Sequence, residues 1–159
     1  RLPLYPAPLG MASVCQAVRQ SLANRPGAEA ILWDVSETLA PVTADEKALS
    51  SILFHLLDNA LKYAPGSRIT VTAREDGDNL RLSVYDLGPG IEPSALPLLF
   101  DPFYRTDSSD SRSVYGHGLG LYIVKRLAEA MGGTVSAANR PEGGAEFCLT
   151  LPRSAEMPA

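Results

Sequence analysis

The sequence predicts a two-layer α/β fold, with helices laid on one face of a mixed sheet. Two long amphipathic helical stretches and short alternating strands between and after them predict it, and no internal repeat or linker divides the chain. Arg1 to Leu9 holds three prolines and reads as an extended lead-in. From Gly10 to Leu22 the apolar residues Met11, Val14, Cys15, Val18 and Leu22 recur at helical spacing, and Asn24-Arg25-Pro26-Gly27 stops the run. Ala30 to Val35 and Ala40 to Thr43 are short strand candidates.

The strongest element runs from Asp45 to Ala64. Leu49, Ile52, Leu53, Leu56, Leu57, Ala60 and Leu61 build one broad apolar face, with Asp45 as N-cap and Pro65-Gly66 as the stop. Two alternating strands follow, Ile69-Val71-Ala73 and Leu80-Leu82-Val84, joined through Asp76-Gly77-Asp78-Asn79. Asp86 to Gly116 has no long periodic segment, only a short helical stretch near Ser94 to Leu99, and an irregular stretch of that length in a small domain is usually functional. Leu119, Tyr122, Ile123, Leu127, Ala128 and Met131 form a second helical stripe, ended by Gly132-Gly133. Thr134 to Ala138 and Glu146 to Leu151 close the sheet around Gly143-Gly144. Residues 10–152 thus read as the domain body, 1–9 as a linker from upstream and 153–159 as a disordered tail.

Composition narrows the function. The 159 residues carry 14 Lys+Arg against 18 Asp+Glu, a formal charge of -4, which argues against a nucleic-acid-binding face. At 45% apolar residues the chain can build a core, yet no apolar run approaches the ~18 residues a membrane span needs. Its two cysteines, Cys15 and Cys148, make neither a disulfide framework nor a metal knuckle, so a reducing compartment is the default. The chain begins at Arg1 without a signal-peptide core and reads as a domain excised from something longer.

Four segments carry candidate chemistry. On the long helix, His55, Asn59 and Lys62 fall in one stripe opposite the leucines. A solvated polar face accounts for that stripe, but an amide oxygen also suits a hard cation such as Mg²⁺, and Lys62 could meet a phosphate as a point charge. Asp86-Leu87-Gly88-Pro89-Gly90-Ile91 follows an apolar strand: either a plain turn, or a carboxylate that accepts from an exocyclic amine beside glycines that admit a flat ligand. Gly116-His117-Gly118-Leu119-Gly120-Leu121 opens the second helix, as a short turn or as a set of N–H donors facing an anion. Leu99-Phe100-Asp101-Pro102-Phe103-Tyr104-Arg105 places aromatic residues in a loop, where Phe100 reads as a pin into the core and Arg105 and Arg112 could reach a triphosphate.

In this order and spacing the four segments resemble the N, G1, F and G2 boxes of the ATP-binding catalytic domain of bacterial sensor histidine kinases. That is the GHKL or Bergerat fold shared with gyrase B, mismatch-repair ATPases and the ninety-kilodalton heat-shock chaperones. The resemblance covers about Leu9 to Pro152, and Leu57-Asp58-Asn59-Ala60-Leu61-Lys62-Tyr63 and Phe100-Asp101-Pro102-Phe103-Tyr104-Arg105 look like the kinase branch. It implies a two-layer sandwich with a mainly antiparallel mixed sheet and a mobile ATP lid over roughly Tyr104 to Tyr115. By resemblance Asn59 ligates Mg²⁺, with His55 beside it as a second metal-site candidate, and Lys62 meets phosphate oxygens. Tyr63 flanks the adenine, Asp86 accepts its amino group, and Gly88, Gly90 and Ile91 line the base pocket. Tyr104, His117 and Leu119 belong to the same site, Gly116, Gly118 and Gly120 give backbone donors to the phosphates, and Arg105 stabilises the transferring γ-phosphoryl group.

The chain departs from the family pattern at His55, where asparagine or a glutamate base is usual, at Tyr115-Gly116 and His117 by the lid, and at Ala145, where threonine is common. An imidazolium beside Mg²⁺ is disfavoured, so activity is expected to fall toward acidic pH. Neither His55 nor His117 has the acidic residue and arginine that follow phosphoacceptor histidines in the family. The resemblance therefore implies an acceptor on a dimerisation domain upstream of Arg1, relay to a response regulator, and no nucleic-acid partner. It further implies a monomeric fragment of a homodimeric protein, cytoplasmic in placement, whose parent can be anchored in the bacterial inner membrane. The rival readings are a GHKL serine kinase, an ATPase switch, and a nucleotide-dead docking module.

Overall fold

Apolar periodicity and capping explain most of the observed elements. The computed structural model describes residues 3–102 and 120–153. Helix α1 is Met11–Ser21, helix α2 Glu46–Tyr63 and helix α3 Gly120–Ala130. Asp45 caps α2 by accepting the Ala48 N–H at 2.8 Å through Oδ1. Helix α3 ends in a Schellman arrangement: Gly132 takes φ +80°, and the Gly133 N–H reaches the Ala128 carbonyl at 2.9 Å.

The strands are β1 (Pro6–Leu9), β2 (Leu32–Val35), β3 (Val42–Asp45), β4 (Ile69–Asp76), β5 (Asn79–Asp86), β6 (Thr134–Asn139) and β7 (Ala145–Pro152). Five of them form one sheet in the order β2-β4-β5-β7-β6, with only the β2–β4 pair parallel. Strand β5 is therefore central, and its last residue, Asp86, opens at the sheet's end. Alternation decides the faces. Leu80, Leu82 and Val84 are buried toward the helices, while Arg81 and Arg74 lie exposed on the opposite face, directly across from each other in the β4–β5 register. Leu49, Ile52, Leu53, Leu56 and Leu57 of α2 are all 0% exposed, which makes α2 the spine of the core. Burying side chains of that size stabilises by ~1.5–3 kcal/mol each.

The structure departs from the sequence reading in three places. Part of the proline-bearing lead-in is a strand: β1 pairs antiparallel with β3, Pro6 opposite Asp45 and Leu9 opposite Val42. An edge strand tolerates prolines because it can spare their missing N–H groups. The strand read at Ala30 starts at Leu32, because Ala28–Ala30 forms a 3₁₀ turn first, and the one read at Ala40 starts at Val42. Near Ser94 the helical stretch is a 3₁₀ helix, Pro93–Leu98, with Pro97 inside it. The tail from Ser154 onward lies outside the described residues.

Candidate nucleotide-binding site

Asp86 is the centre of the candidate site. Its position at the end of the middle strand buries it to 2% exposure. Its Oδ1 accepts two backbone N–H groups, from Gly88 at 2.9 Å and from Ala145 at 3.3 Å. These bonds fix the carboxylate plane. Oδ2 takes no hydrogen bond among the described residues, and so remains to accept from a ligand donor.

The loop after Asp86 is held by close approach. A Cβ at Gly88 would lie 2.6 Å from the Ala64 Cβ at the end of α2, so only glycine lets the loop seat there. The Leu87 N–H donates to Ser67 Oγ at 3.2 Å, tying the loop to the start of β4. Ile91 is buried at 3% exposure.

Helix α2 is the wall shared by the predicted segments. Its last turn meets the Asp86 loop through Ala64, and its middle meets the start of α3, where a Cβ at Gly120 would lie 3.5 Å from His55 Nδ1. The described parts of the long-helix stripe, the Asp86 loop and the glycine segment thus adjoin one helix. Phe103, Tyr104, Arg105, Gly116, His117, Gly118 and Leu119, with the lid, lie outside the described residues.

The polar stripe of α2 is not a uniformly solvated face. Asn59 is buried at 8% exposure, and its Nδ2 has no hydrogen-bond partner among the described residues. A buried N–H donor without a partner costs ~1–3 kcal/mol, and an acceptor such as a phosphate oxygen is the kind of group that satisfies it. His55 is half-buried, and burial lowers its pKa from 6.5; Asp58 opposes that shift and Lys62 adds to it. Burial therefore favours the neutral form of the imidazole. Lys62 is exposed and pairs with Asp58 at 3.2 Å, while Asp58 also holds Arg25 at 2.6 Å. Tyr63 packs partly buried against the core. Phe100 does act as a pin, meeting Phe147 edge-on at 6.2 Å between ring centres.

Sequence reasoning missed the contribution of the β6–β7 turn. Gly144 sits so close to Asp86 that a Cβ would approach its carbonyl oxygen to 2.0 Å. Asn139 bonds both backbone polar groups of Ile91. The glycine pair was the available signal, but it also fits an ordinary hairpin. Ala145, 0% exposed, serves the site through its backbone N–H rather than its side chain.

A one-sided α/β sandwich with a buried acid at the end of its central strand, and a glycine loop seated on the main helix, defines an ATP-binding domain of the kinase and gyrase kind. The chain belongs to the family of histidine kinase-, DNA gyrase B- and HSP90-like ATPases, whose model matches residues 44–155. It is 42% identical over 118 residues to the sensor protein KdpD of Escherichia coli (strain K12), covering 74% of this chain and 13% of that protein. It is 38% identical over 121 residues to the sensor histidine kinase YcbM of Bacillus subtilis (strain 168), covering 76% of this chain and 39% of that one. The chain thus spans well under half of these curated relatives. Full-length ShkA, solved in complex with AMPPNP, superposes with a TM-score of 0.83 at 34% identity over 99% of this chain and 33% of that one. The mycobacterial sensor histidine kinase MprB gives 0.76 at 28% identity, over 95% and 99%. Within the family, the chain is a histidine-kinase ATP-binding domain. Among the described residues no helix is long and apolar enough to cross a membrane.

Proposed function

We propose that this domain presents Mg²⁺-ATP for transfer of the γ-phosphoryl group to a histidine on an upstream dimerisation domain, for relay to a response-regulator aspartate. The observation that carries the reading is Asp86: a buried carboxylate with one oxygen fixed by two N–H groups, while the other takes no hydrogen bond among the described residues and can accept from a donor such as the adenine amino group. Guanine carries a carbonyl where adenine carries that amine, so the same acid disfavours it.

The Asn59 Oδ1 suits a hard cation that keeps most of its ligands from phosphate oxygens and water, and its Nδ2, unpaired among the described residues, suits a phosphate oxygen beside it. When bound, Mg²⁺ supplies charge neutralisation along the phosphates. Asn59 would hold it, with His55 one helical turn away as a neutral neighbour. Lys62 would leave or share its surface pair with Asp58 to meet phosphate, a change worth only ~0.2–1 kcal/mol for an exposed pair. Arg105 is assigned the γ-phosphoryl group. Because phosphoryl transfer needs positioning more than covalent help, these roles suffice once an acceptor histidine is supplied.

Titration of this chain with AMPPNP, with and without Mg²⁺, tests the binding half. Heat on mixing and a raised unfolding temperature are expected, and their absence would favour a docking module. Incubating the longer parent polypeptide with γ-labelled ATP tests the transfer half. Label lost in acid and kept in base marks phosphohistidine, whereas acid-stable label would point to the serine-kinase rival.

A further inference from the structure

Asn139 ends β6 and lies opposite Ala145 in the β6–β7 register. Its side chain reaches a segment 48 residues earlier: Oδ1 accepts the Ile91 N–H at 2.6 Å, and Nδ2 donates to the Ile91 carbonyl at 2.7 Å. A carboxamide here makes the two bonds that a neighbouring strand would make. Its orientation is fixed, because exchanging oxygen and nitrogen would face donor to donor and acceptor to acceptor. Gly90 leaves the room: it takes φ +81°, and a Cβ there would lie 2.9 Å from Asn139 Oδ1.

The same turn grips the loop at its other end. Ala145 donates to Asp86 Oδ1, and Gly144 packs on the Asp86 carbonyl. Next to Asn139, the Arg140 guanidinium stacks on the Tyr85 ring at 4.1 Å, which anchors the turn to β5 one residue before Asp86. The β6–β7 turn therefore holds the Asp86–Ile91 loop at both of its ends.

We infer that Asn139 is a positioning residue for purine selection: by pinning the Ile91 peptide to the hairpin, it fixes the loop wall of the base pocket relative to Asp86. The inference rests on the reading of Asp86 as the adenine acceptor. A wall free to shift would let the loop adjust to either purine, whereas a wall held at two atoms enforces the pattern Asp86 reads. Nothing in the four boxes reveals this, because Asn139 touches the site only through another residue's backbone.

The test is Asn139→Asp in the intact chain, with AMPPNP and its guanine counterpart titrated calorimetrically against wild type. The substitution keeps the volume and one oxygen for the Ile91 N–H, but turns the other oxygen against the Ile91 carbonyl. The adenine-over-guanine affinity ratio should fall about fivefold, the equivalent of one hydrogen bond. A role in general stability alone would weaken both nucleotides together, so an unchanged ratio overturns the inference. Wild type that fails to bind AMPPNP would instead sink the adenine reading itself. Should the variant not fold, amide exchange at Ile91 in wild type decides: protection comparable to β5 supports the clamp, and exchange as fast as an open loop overturns it.

Discussion

Replacing Asp86 by Asn changes one atom and tests the site directly. In wild type Oδ1 takes the N–H groups of Gly88 and Ala145 at 2.9 and 3.3 Å, inside a residue that is 2% exposed. Both are donors, so the Asn amide must present its oxygen to them. Its NH₂ group is thereby forced into the place of Oδ2, where, on the proposed placement of the base, it would face the amino group of adenine, donor against donor. The fold loses little, since both backbone bonds survive. Binding loses a charge-assisted hydrogen bond of ~1.5–3 kcal/mol, roughly a 10- to 150-fold rise in Kd for an ATP analogue. Calorimetry gives the Kd, and thermal unfolding without ligand confirms that the variant is intact. An Asp86→Asn chain that folds and binds as tightly as wild type would refute both the placement of the base and the reasoning from amide orientation.

Asn59→Ala should leave the stability of the ligand-free domain within about 1 kcal/mol of wild type, despite the burial of Asn59, because it removes an Nδ2 donor that has no partner among the described residues. Nucleotide affinity in the presence of Mg²⁺ should drop at least tenfold, and chemical denaturation beside calorimetry separates the two effects. Gly144→Ala forces a Cβ to within 2.0 Å of the Asp86 carbonyl at φ +87°, so we expect a destabilisation of ~2 kcal/mol or more and lost nucleotide binding, read by denaturant midpoint and titration. His55 has a folded pKa below its unfolded value of 6.5 because burial disfavours the charged ring. The unfolded chain then binds more protons, so the contribution is complete above about pH 6.5 and is lost as pH falls through the folded value. In His55→Asn this part of the pH dependence should vanish from denaturation curves collected between pH 5 and 8.

The long helices were legible in the sequence because their signals are local. The apolar residues of α2 recur every three or four positions, Asp45 supplies a side-chain cap, and Gly132 takes the conformation that ends α3. Strand β1 was legible only as extended chain, since its pairing with β3 joins Pro6 to Asp45 and no local period encodes that. The candidate site divides in the same way. Asp86, Gly88 and Asn59 stand out as candidates by residue type and place, whereas Asn139 and Gly144 act across 48 or more residues and look from sequence like turn material. At Lys62 the spacing suggested phosphate, and the fold adds a partner the stripe did not announce, Asp58, four residues away on the same helix.

The two oxygens of Asp45 serve two different tasks. Oδ1 caps α2, and Oδ2 accepts the Tyr5 N–H at 2.7 Å. One carboxylate thus fastens the incoming polypeptide to the head of the rod that carries Asn59 roughly 20 Å further along. Strain applied at residue 5 arrives at that rod without an intervening hinge, and the two cannot be shifted apart unless the latch breaks.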